Sequence, residues 1–153
     1  FHPYYLKQFN NRWFVFGLNA NNSISTWNMA LDRIQSINEL DLNFIVNEID
    51  WEEDYFYDII GVTRILNSEI IEVVLQFTSD LAPYIQTKPI HPTQTKPKFL
   101  DSGEMVISIK VIPNYELERL IISYGAEVKV ISPKSIRDKI QSKIQEMFNL
   151  YFE

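Results

Sequence analysis

The sequence has 153 residues but no cysteine, only two histidines and only four glycines. Without cysteine there is neither a disulfide framework nor a thiolate to bind a metal or attack a substrate. His2 and His91 lie far apart, without the spacing to an acid or to another histidine that metal sites show. The glycines are too scattered for a phosphate-binding loop, and no serine elbow is present. The chain is therefore not expected to be an enzyme, and no cofactor or metal site is expected.

Long apolar runs are also missing, since none approaches the ~20 residues that span a bilayer. No signal peptide is recognisable, and the lack of cysteine suits a reducing compartment. We therefore expect a cytoplasmic location and no membrane partner. The chain opens on Phe1, directly in strand-like sequence. We expect a fragment whose N-terminal portion has been removed.

Positive charge is scarce, because the net charge is -6. This argues against a general phosphate-backbone binder. The few cations of residues 1–38, namely Lys7, Arg12 and Arg33, face only Asp32, whereas residues 39–66 carry many acids and only Arg64. A local basic patch on an acidic protein suggests a discrete ligand. The alternative is that these are ordinary solvated charges.

Hydrophobic residues (46%) are sufficient for a folded core, and aromatic residues reach 14%. An Asn10-Asn11 pair between two strand-like runs predicts a two-residue hairpin turn, because asparagine tolerates positive φ. One face of this hairpin then mixes rings with cations, as a site for an anionic or nucleobase ligand would. The predicted cross-strand pairs are Phe9–Arg12, Lys7–Phe14 and Tyr5–Phe16.

The chain is predicted to divide into residues 1–66 and residues 67–153. In the first part, strands are expected over residues 3–9, 12–19 and 24–34, followed by a short helix that Asp50 caps and Gly61 ends. Acids in a first helical turn are favoured by the helix dipole. We therefore interpret the acidic cluster around Asp50, Glu52 and Glu53 as a helix start and not as a catalytic or metal site.

The second part is predicted to be β-α-β-β-α-β with a final helix. Two right-handed β-α-β units of this kind fit a ferredoxin-like split sheet, which makes the fold class α+β. The final helix has one apolar stripe, interpreted as core, although its aromatic end is also suited to a subunit contact. The stripe consists of Ile136, Ile140, Ile144, Met147, Phe148 and Tyr151.

Several short motifs together resemble the WYL-domain family of bacterial transcriptional regulators, including the C-terminal extension that often follows the WYL domain. The family's Trp-Tyr-Leu triplet reads Trp13-Phe14-Val15 here. Further matching segments are His2-Pro3-Tyr4-Tyr5-Leu6-Lys7, Asn11-Arg12, Phe16-Gly17, Ala30-Leu31-Asp32-Arg33-Ile34, Val73-Val74-Leu75-Gln76-Phe77, Ala82-Pro83-Tyr84-Ile85, Glu116-Leu117, Ile121-Ile122-Ser123-Tyr124-Gly125 and Val130-Ile131-Ser132-Pro133. The resemblance covers nearly the whole chain.

The resemblance implies a small Sm/SH3-like barrel that senses a ligand, followed by a dimerising extension. It also implies a DNA-binding winged helix-turn-helix before Phe1. The resemblance further implies that the ligand of the barrel is a nucleotide or single-stranded nucleic acid. By position, Arg12 and Arg33 match the family's basic residues, with Tyr5 and Lys7 nearby. Trp27 stands where many members have an arginine, so this ligand could differ from the usual one.

A second turn at Asn21-Asn22 would pair Phe16 with Trp27 and Arg12 with Leu31, which extends the ring-and-cation face to Arg33. Two alternatives remain open. The rings are core and the arginines pair with Asp32 or Glu39, or the exposed aromatics form a protein-interaction module. The predicted ligand-binding residues are Tyr5, Lys7, Arg12, Phe14, Trp27 and Arg33.

Overall fold

The computed structural model describes residues 1–152, which form two compact units, the first over Phe1–Tyr55 and the second from Phe56 onward. The predicted division after residue 66 therefore falls inside the second unit. Asn114 explains this difference, because its side-chain amide donates to the carbonyls of Ile60 and Thr63. Ile60 also belongs to the core cluster of the second unit. These contacts fix the segment after Tyr55 to residues far along the chain.

The first unit contains a three-stranded antiparallel sheet in the order β1 (His2–Phe9), β2 (Arg12–Asn19), β3 (Ile24–Ala30). Asn10 and Asn11 have φ of 49° and 59°, so both turn residues adopt the left-handed conformation of a two-residue hairpin. The predicted turn is confirmed. The predicted pairs Phe9–Arg12, Lys7–Phe14 and Tyr5–Phe16 are also confirmed.

The register between β2 and β3 differs from the prediction by one residue. Asn19 pairs with Ile24, which keeps the predicted register, but the predicted two-residue turn at Asn21-Asn22 is wrong, because residues 20–23 form the connection and Ser23 has the positive φ (53°). An irregularity follows between Gly17 and Asn19. Beyond it, Gly17 instead of Phe16 pairs with Trp27. A bulge inserts an unpaired residue, and a shift of one residue moves every later side chain to the other face. The predicted register is therefore wrong for most of β3.

The sheet ends sooner than predicted and does not close. β3 stops at Ala30, and a 3₁₀ turn (Leu31–Arg33) follows where the strand was expected to continue to residue 34. After this turn the chain is irregular until a single π-helical turn, Trp51–Phe56, which is shorter than the helix expected to end at Gly61. Because β1 and β3 are both edge strands, residues 1–152 contain no closed barrel at this sheet.

The second unit contains the predicted sequence of strands and helices. The sheet order is β5-β6-β4-β7, and every neighbouring pair is antiparallel. The protein is thus a mixed α+β fold with antiparallel sheets. The elements in chain order are β4 (Ile71–Phe77), α1 (Ala82–Thr87), β5 (Lys98–Phe99), β6 (Met105–Val111), α2 (Tyr115–Ser123), a 3₁₀ turn (Gly125–Glu127), β7 (Val128–Ser132) and α3 (Lys134–Phe152).

One face of this second sheet carries an aliphatic core. Alternate residues of β4 and β6 are buried against the helices, as the period of two in a half-buried strand requires. From α3, only Ile136 and Ile140 join the buried core. The core prediction is wrong for the rest of the stripe, because Ile144, Met147, Phe148 and Tyr151 are exposed.

Candidate ligand-binding site

An ion pair at the hairpin end brings together two parts of the predicted site. Arg12 begins β2, and its Nη2 lies 3.2 Å from Oδ2 of Asp32 in the 3₁₀ turn. Both side chains are roughly half exposed (43% and 53%), so the pair contributes at most about 1 kcal/mol to stability. Arg33 follows Asp32 directly and is exposed. The pair therefore holds the second predicted arginine beside the first strand end.

Lys7 and Phe14 form the next part of this surface. They are direct cross-strand neighbours, and both are partly buried. Phe14 also pairs with Ala30 on the other side of β2. Because alternate positions of a strand share a face, Lys7, Phe14 and Arg12 lie on the same side of the sheet. Lys7 and Phe14 thus lie side by side, and Arg12 lies one pair nearer the hairpin turn on the same face.

Tyr5 lies on this face as well, but it is built into an aromatic cluster. Its ring stacks on Trp51 with centroids 6.0 Å apart, and its hydroxyl donates to Oε1 of Glu52. That hydrogen bond, assisted by burial, raises the pKa of Tyr5 to about 12. Phe16 and Tyr55 complete the cluster, with Phe16–Trp51 and Phe16–Tyr55 centroid distances of 5.6 Å. The cluster holds the turn at Trp51 against the sheet.

Trp27 is placed apart from the other predicted residues. Its partner Gly17 belongs to the face of Val15, opposite that of Phe14, and the indole is 37% exposed. The structure thus places Lys7, Arg12 and Phe14 on one face near one end of the sheet, with Arg33 next in sequence to Asp32, the ion-pair partner of Arg12. It commits Tyr5 to packing and separates Trp27 from the group.

Sequence reasoning overlooked Trp51 and Glu52 as partners of Tyr5. Trp51 and Tyr55 are four residues apart, the spacing that places two rings on one side of a helical turn. That spacing was available as a signal. Asp50, in contrast, is the predicted cap, since its Oδ1 accepts from the backbone N–H of Glu52 and Glu53 at 3.1 Å each.

His91 is the other titratable group of note, and it was assigned no role. It is buried, and its Nδ1 lies 2.7 Å from Oγ1 of Thr93. The Thr93 hydroxyl in turn accepts from the backbone N–H of Lys110 at 2.8 Å. Burial lowers the pKa of His91 below its ordinary value. Within residues 1–152, no group of three or more His, Asp or Glu side chains could hold a metal ion.

Comparison with known families gives a clear result for the second unit. The family model described as the WCX domain matches residues 69–148, more than half of the chain. The chain belongs to the WCX domain family. The match covers the segment that resembled the C-terminal extension of WYL regulators, so the predicted relationship to that family is confirmed. No curated protein matches the chain.

Among solved structures, the chain is similar to proteasome accessory factor B/C (PafBC) of Arthrobacter aurescens. The sequence identity is 16% and the TM-score 0.47, and the alignment covers 99% of this chain and 22% of that chain. The WCX chain thus spans about a fifth of the length of that protein. No helix within residues 1–152 combines the length and the apolar character needed to cross a membrane.

Proposed function

We propose that this WCX protein is the ligand-sensing and dimerisation region of a bacterial transcriptional regulator in the cytoplasm. The ligand is a nucleotide or a short single-stranded nucleic acid, and DNA is bound by a winged helix-turn-helix of the full-length regulator. Membership of the WCX family and the WYL-like motifs of the first unit support this proposal. Ligand binding would change the geometry of a homodimer and so the spacing of its DNA-binding domains.

The main support for the proposed ligand is the surface that we assign to Lys7, Phe14, Arg12 and Arg33 at the hairpin end. Lys7 and Arg12 share a face with Phe14, and Arg33 follows the partner of Arg12, so these cations are proposed to contact phosphates while a base stacks on Phe14. Because the protein carries a net charge of -6, phosphates are repelled elsewhere and binding stays local. The ligand is therefore expected to be short.

Asp32 competes with a bound phosphate for Arg12. It neutralises Arg12 in the free protein through the 3.2 Å ion pair, so an incoming phosphate must displace its carboxylate. Because the pair is exposed and weak, replacing the Asp32 carboxylate by a phosphate at Arg12 costs little free energy. Removing the acid should therefore strengthen anion binding, whereas removing Arg12 should weaken it.

The two remaining predicted residues take different places in this proposal. Tyr5 supports the site by fixing the turn at Trp51 against the sheet, and its hydroxyl is held by Glu52. Trp27, on the other face, would stack only on a base of a strand that passes around the sheet edge. Binding of a mononucleotide would therefore not alter the surroundings of the Trp27 side chain.

The arrangement of the strands supports the finer folds that we infer for the two units. In the second unit, the order β5-β6-β4-β7 with antiparallel neighbours is that of a ferredoxin-like βαββαβ sheet. In the first unit, the antiparallel meander of three strands would be part of an Sm/SH3-like barrel. Additional strands would be needed to close it.

The test is a titration of labelled single-stranded oligonucleotides and of linear and cyclic nucleotides at low and high salt. Arg12→Ala and Arg33→Ala should each weaken binding roughly tenfold and reduce its salt dependence, because each removes a phosphate contact. Asp32→Asn should strengthen it. Lys134→Ala is the matched control, since Lys134 is also an exposed cation paired with an aspartate, Asp138. Absence of salt-sensitive binding in every variant would refute the nucleotide ligand.

A second candidate function is a protein-interaction module. Residues 37–46 form an irregular segment of the first unit that exposes large apolar side chains, among them Ile37 (83%) and Leu42 (72%). Exposed apolar groups of this kind are typical of interaction sites. Under this alternative, Leu42→Asp would abolish binding of a protein partner and Arg12→Ala would have no effect on it.

A further inference from the structure

The sheet of the second unit has a face that does not belong to the core. In β4 and β6, every second residue is buried, and the residues between them are partly or fully exposed on the opposite face. Directly paired residues of neighbouring strands share a face, so this surface continues onto β5 and β7. We call this surface the outer face. It consists of Glu72, Val74, Gln76, Lys98, Val106, Ser108, Lys110, Lys129 and Ser132.

The outer face is positively charged, although the protein as a whole carries a net charge of -6. Its cations Lys98, Lys110 and Lys129 are all exposed, and Glu72 is its only acid. Within residues 1–152 none of these three lysines forms an ion pair, whereas every lysine of α3 does. Glu72 instead accepts a hydrogen bond from Oγ of Ser108 at 2.7 Å. The outer face is therefore suited to a negatively charged partner.

Two of these lysines lie at the ends of one row of paired residues across the sheet. Gln76 of β4 pairs with Lys129 of β7 on one side and with Val106 of β6 on the other. Val106 in turn pairs with Lys98 of β5. Because neighbouring strands lie about 4.8 Å apart, three intervals separate the backbones of the two lysines by about 14 Å. Between them the row is uncharged and partly apolar, and Val74 lies beside it.

An acidic amphipathic helix matches this pattern of charge and apolar surface. On one face of an α-helix, positions i and i+7 lie about 10.5 Å apart, with positions i+3 and i+4 between them. Glutamates at i and i+7 would reach the two lysines, whose long side chains span the remaining distance. Leucines at i+3 and i+4 would cover Val74 and Val106. A single-stranded nucleic acid matches less well, because its bases stack on rings and the outer face has no aromatic residue.

We propose that the outer face of the second sheet binds an acidic amphipathic helix of another protein. Lys98 and Lys129 hold its carboxylates, and Val74 and Val106 contact its apolar side chains. Because the apolar centre is small and the cations are exposed, the complex is weak, transient and sensitive to salt. The outer face shares no residue with the surface at the hairpin end, so this inference does not depend on the nucleotide ligand.

The experiment is a fluorescence anisotropy titration of a labelled helical peptide of about 15 residues, with Glu at i and i+7 and Leu at i+3 and i+4. The wild type should bind it with a Kd on the order of 10–100 µM at low salt. Lys98→Glu/Lys129→Glu should weaken binding at least roughly tenfold, because attraction becomes repulsion. The control, Lys134→Glu/Lys139→Glu, changes the net charge equally at exposed lysines of α3 and should have little effect. A wild type that does not bind, or equal weakening by both double variants, overturns the inference.

A second set of titrations tests the class of partner. A peptide with Gln in place of both glutamates should bind at least roughly tenfold more weakly, because the attraction depends on the carboxylates. A labelled thymidine oligonucleotide that binds more tightly than the acidic peptide, and is lost in Lys98→Glu/Lys129→Glu, would assign the outer face to nucleic acid and overturn the inference. Arg12→Ala should leave peptide binding unchanged, which separates this surface from the one at the hairpin end. Loss of peptide binding in Arg12→Ala would place the peptide elsewhere and also overturn the inference.

Discussion

The cores of the two units consist of different kinds of side chain. The first is centred on four rings, Tyr5, Phe16, Trp51 and Tyr55, with centroids 5.4 to 6.0 Å apart. The second buries aliphatic side chains from alternate positions of β4 and β6, with few rings. Rings with polar edges can serve as core or as ligand surface, whereas buried aliphatic side chains serve only as core. The choice between core and ligand surface therefore arises only for the rings of the first unit.

The largest expected effect is in the aliphatic core. Phe77 is fully buried in β4, and its ring meets Tyr124 edge-on at 5.6 Å. Phe77→Ala should lower the free energy of unfolding by about 3–5 kcal/mol, because it leaves a cavity. Phe99→Ala, at an exposed position, is the control and should change it by less than about 1 kcal/mol. Urea unfolding followed by circular dichroism measures both, and equal losses would contradict the assigned core.

Helix capping gives the next effect and a direct comparison of the units. Asn114 is buried, caps α2 through the N–H of Leu117 and also donates to the carbonyls of Ile60 and Thr63. Asn114→Ala should cost about 2–3 kcal/mol, because it removes a cap and leaves the buried carbonyl of Ile60 and the partly buried carbonyl of Thr63 without this donor. Asp50→Ala in the first unit removes only an exposed cap and should cost about 1 kcal/mol. A larger loss for Asp50→Ala in urea unfolding would invert the comparison.

A third variant tests the close packing of the hairpin. A Cβ on Gly17 would lie 2.0 Å from the backbone oxygen of His2, so β1 must move away. Gly17→Ala should destabilise the protein by about 1–3 kcal/mol. Gly125→Ala is matched, since it meets no atom within 4 Å but has φ of +57°. It should cost about 1 kcal/mol. Thermal unfolding measures the destabilisation by each variant. Equal losses of stability would show that β1 moves away from Gly17 at little energetic cost.

The smallest effects are in the pH dependence, where the units should respond in opposite directions. The Tyr5 pKa is raised from 10.0 to about 12, so its contribution to stability is complete below pH 10 and is lost as the pH rises through 12. The His91 pKa lies below 6.5, so its contribution is complete above pH 6.5 and is lost as the pH falls through the folded value.

Two variants check these assignments. Glu52→Gln should return the ultraviolet titration of Tyr5 toward 10, because Glu52 supplies the hydrogen bond and the charge that raise the pKa. His91→Gln should reduce the decrease in the free energy of unfolding as the pH falls below 6.5. A Tyr5 titration unchanged by Glu52→Gln would contradict the hydrogen bond between them.

The sequence by itself determined the features that depend on neighbours along the chain. Two asparagines that accept positive φ fixed the first hairpin and three cross-strand pairs. Asp50 and Asn114 fixed the starts of two helical segments through their own side chains. Alternation and helical periodicity gave the order of elements in the second unit. Each of these signals acts over a few residues, so local sequence contains it.

Only the tertiary structure decided which surfaces these elements share. The irregularity between Gly17 and Asn19 moved Trp27 to the other face. A glycine within a strand favours a bulge, but it does not determine how the register shifts there. The contact of Tyr5 with Trp51 and Glu52 joins residues far apart in sequence. The apolar stripe of α3 has the same period inside and outside the core, so periodicity could not show where burial ends after Ile140. Burial depends on what the rest of the chain places nearby, and that is a property of the fold.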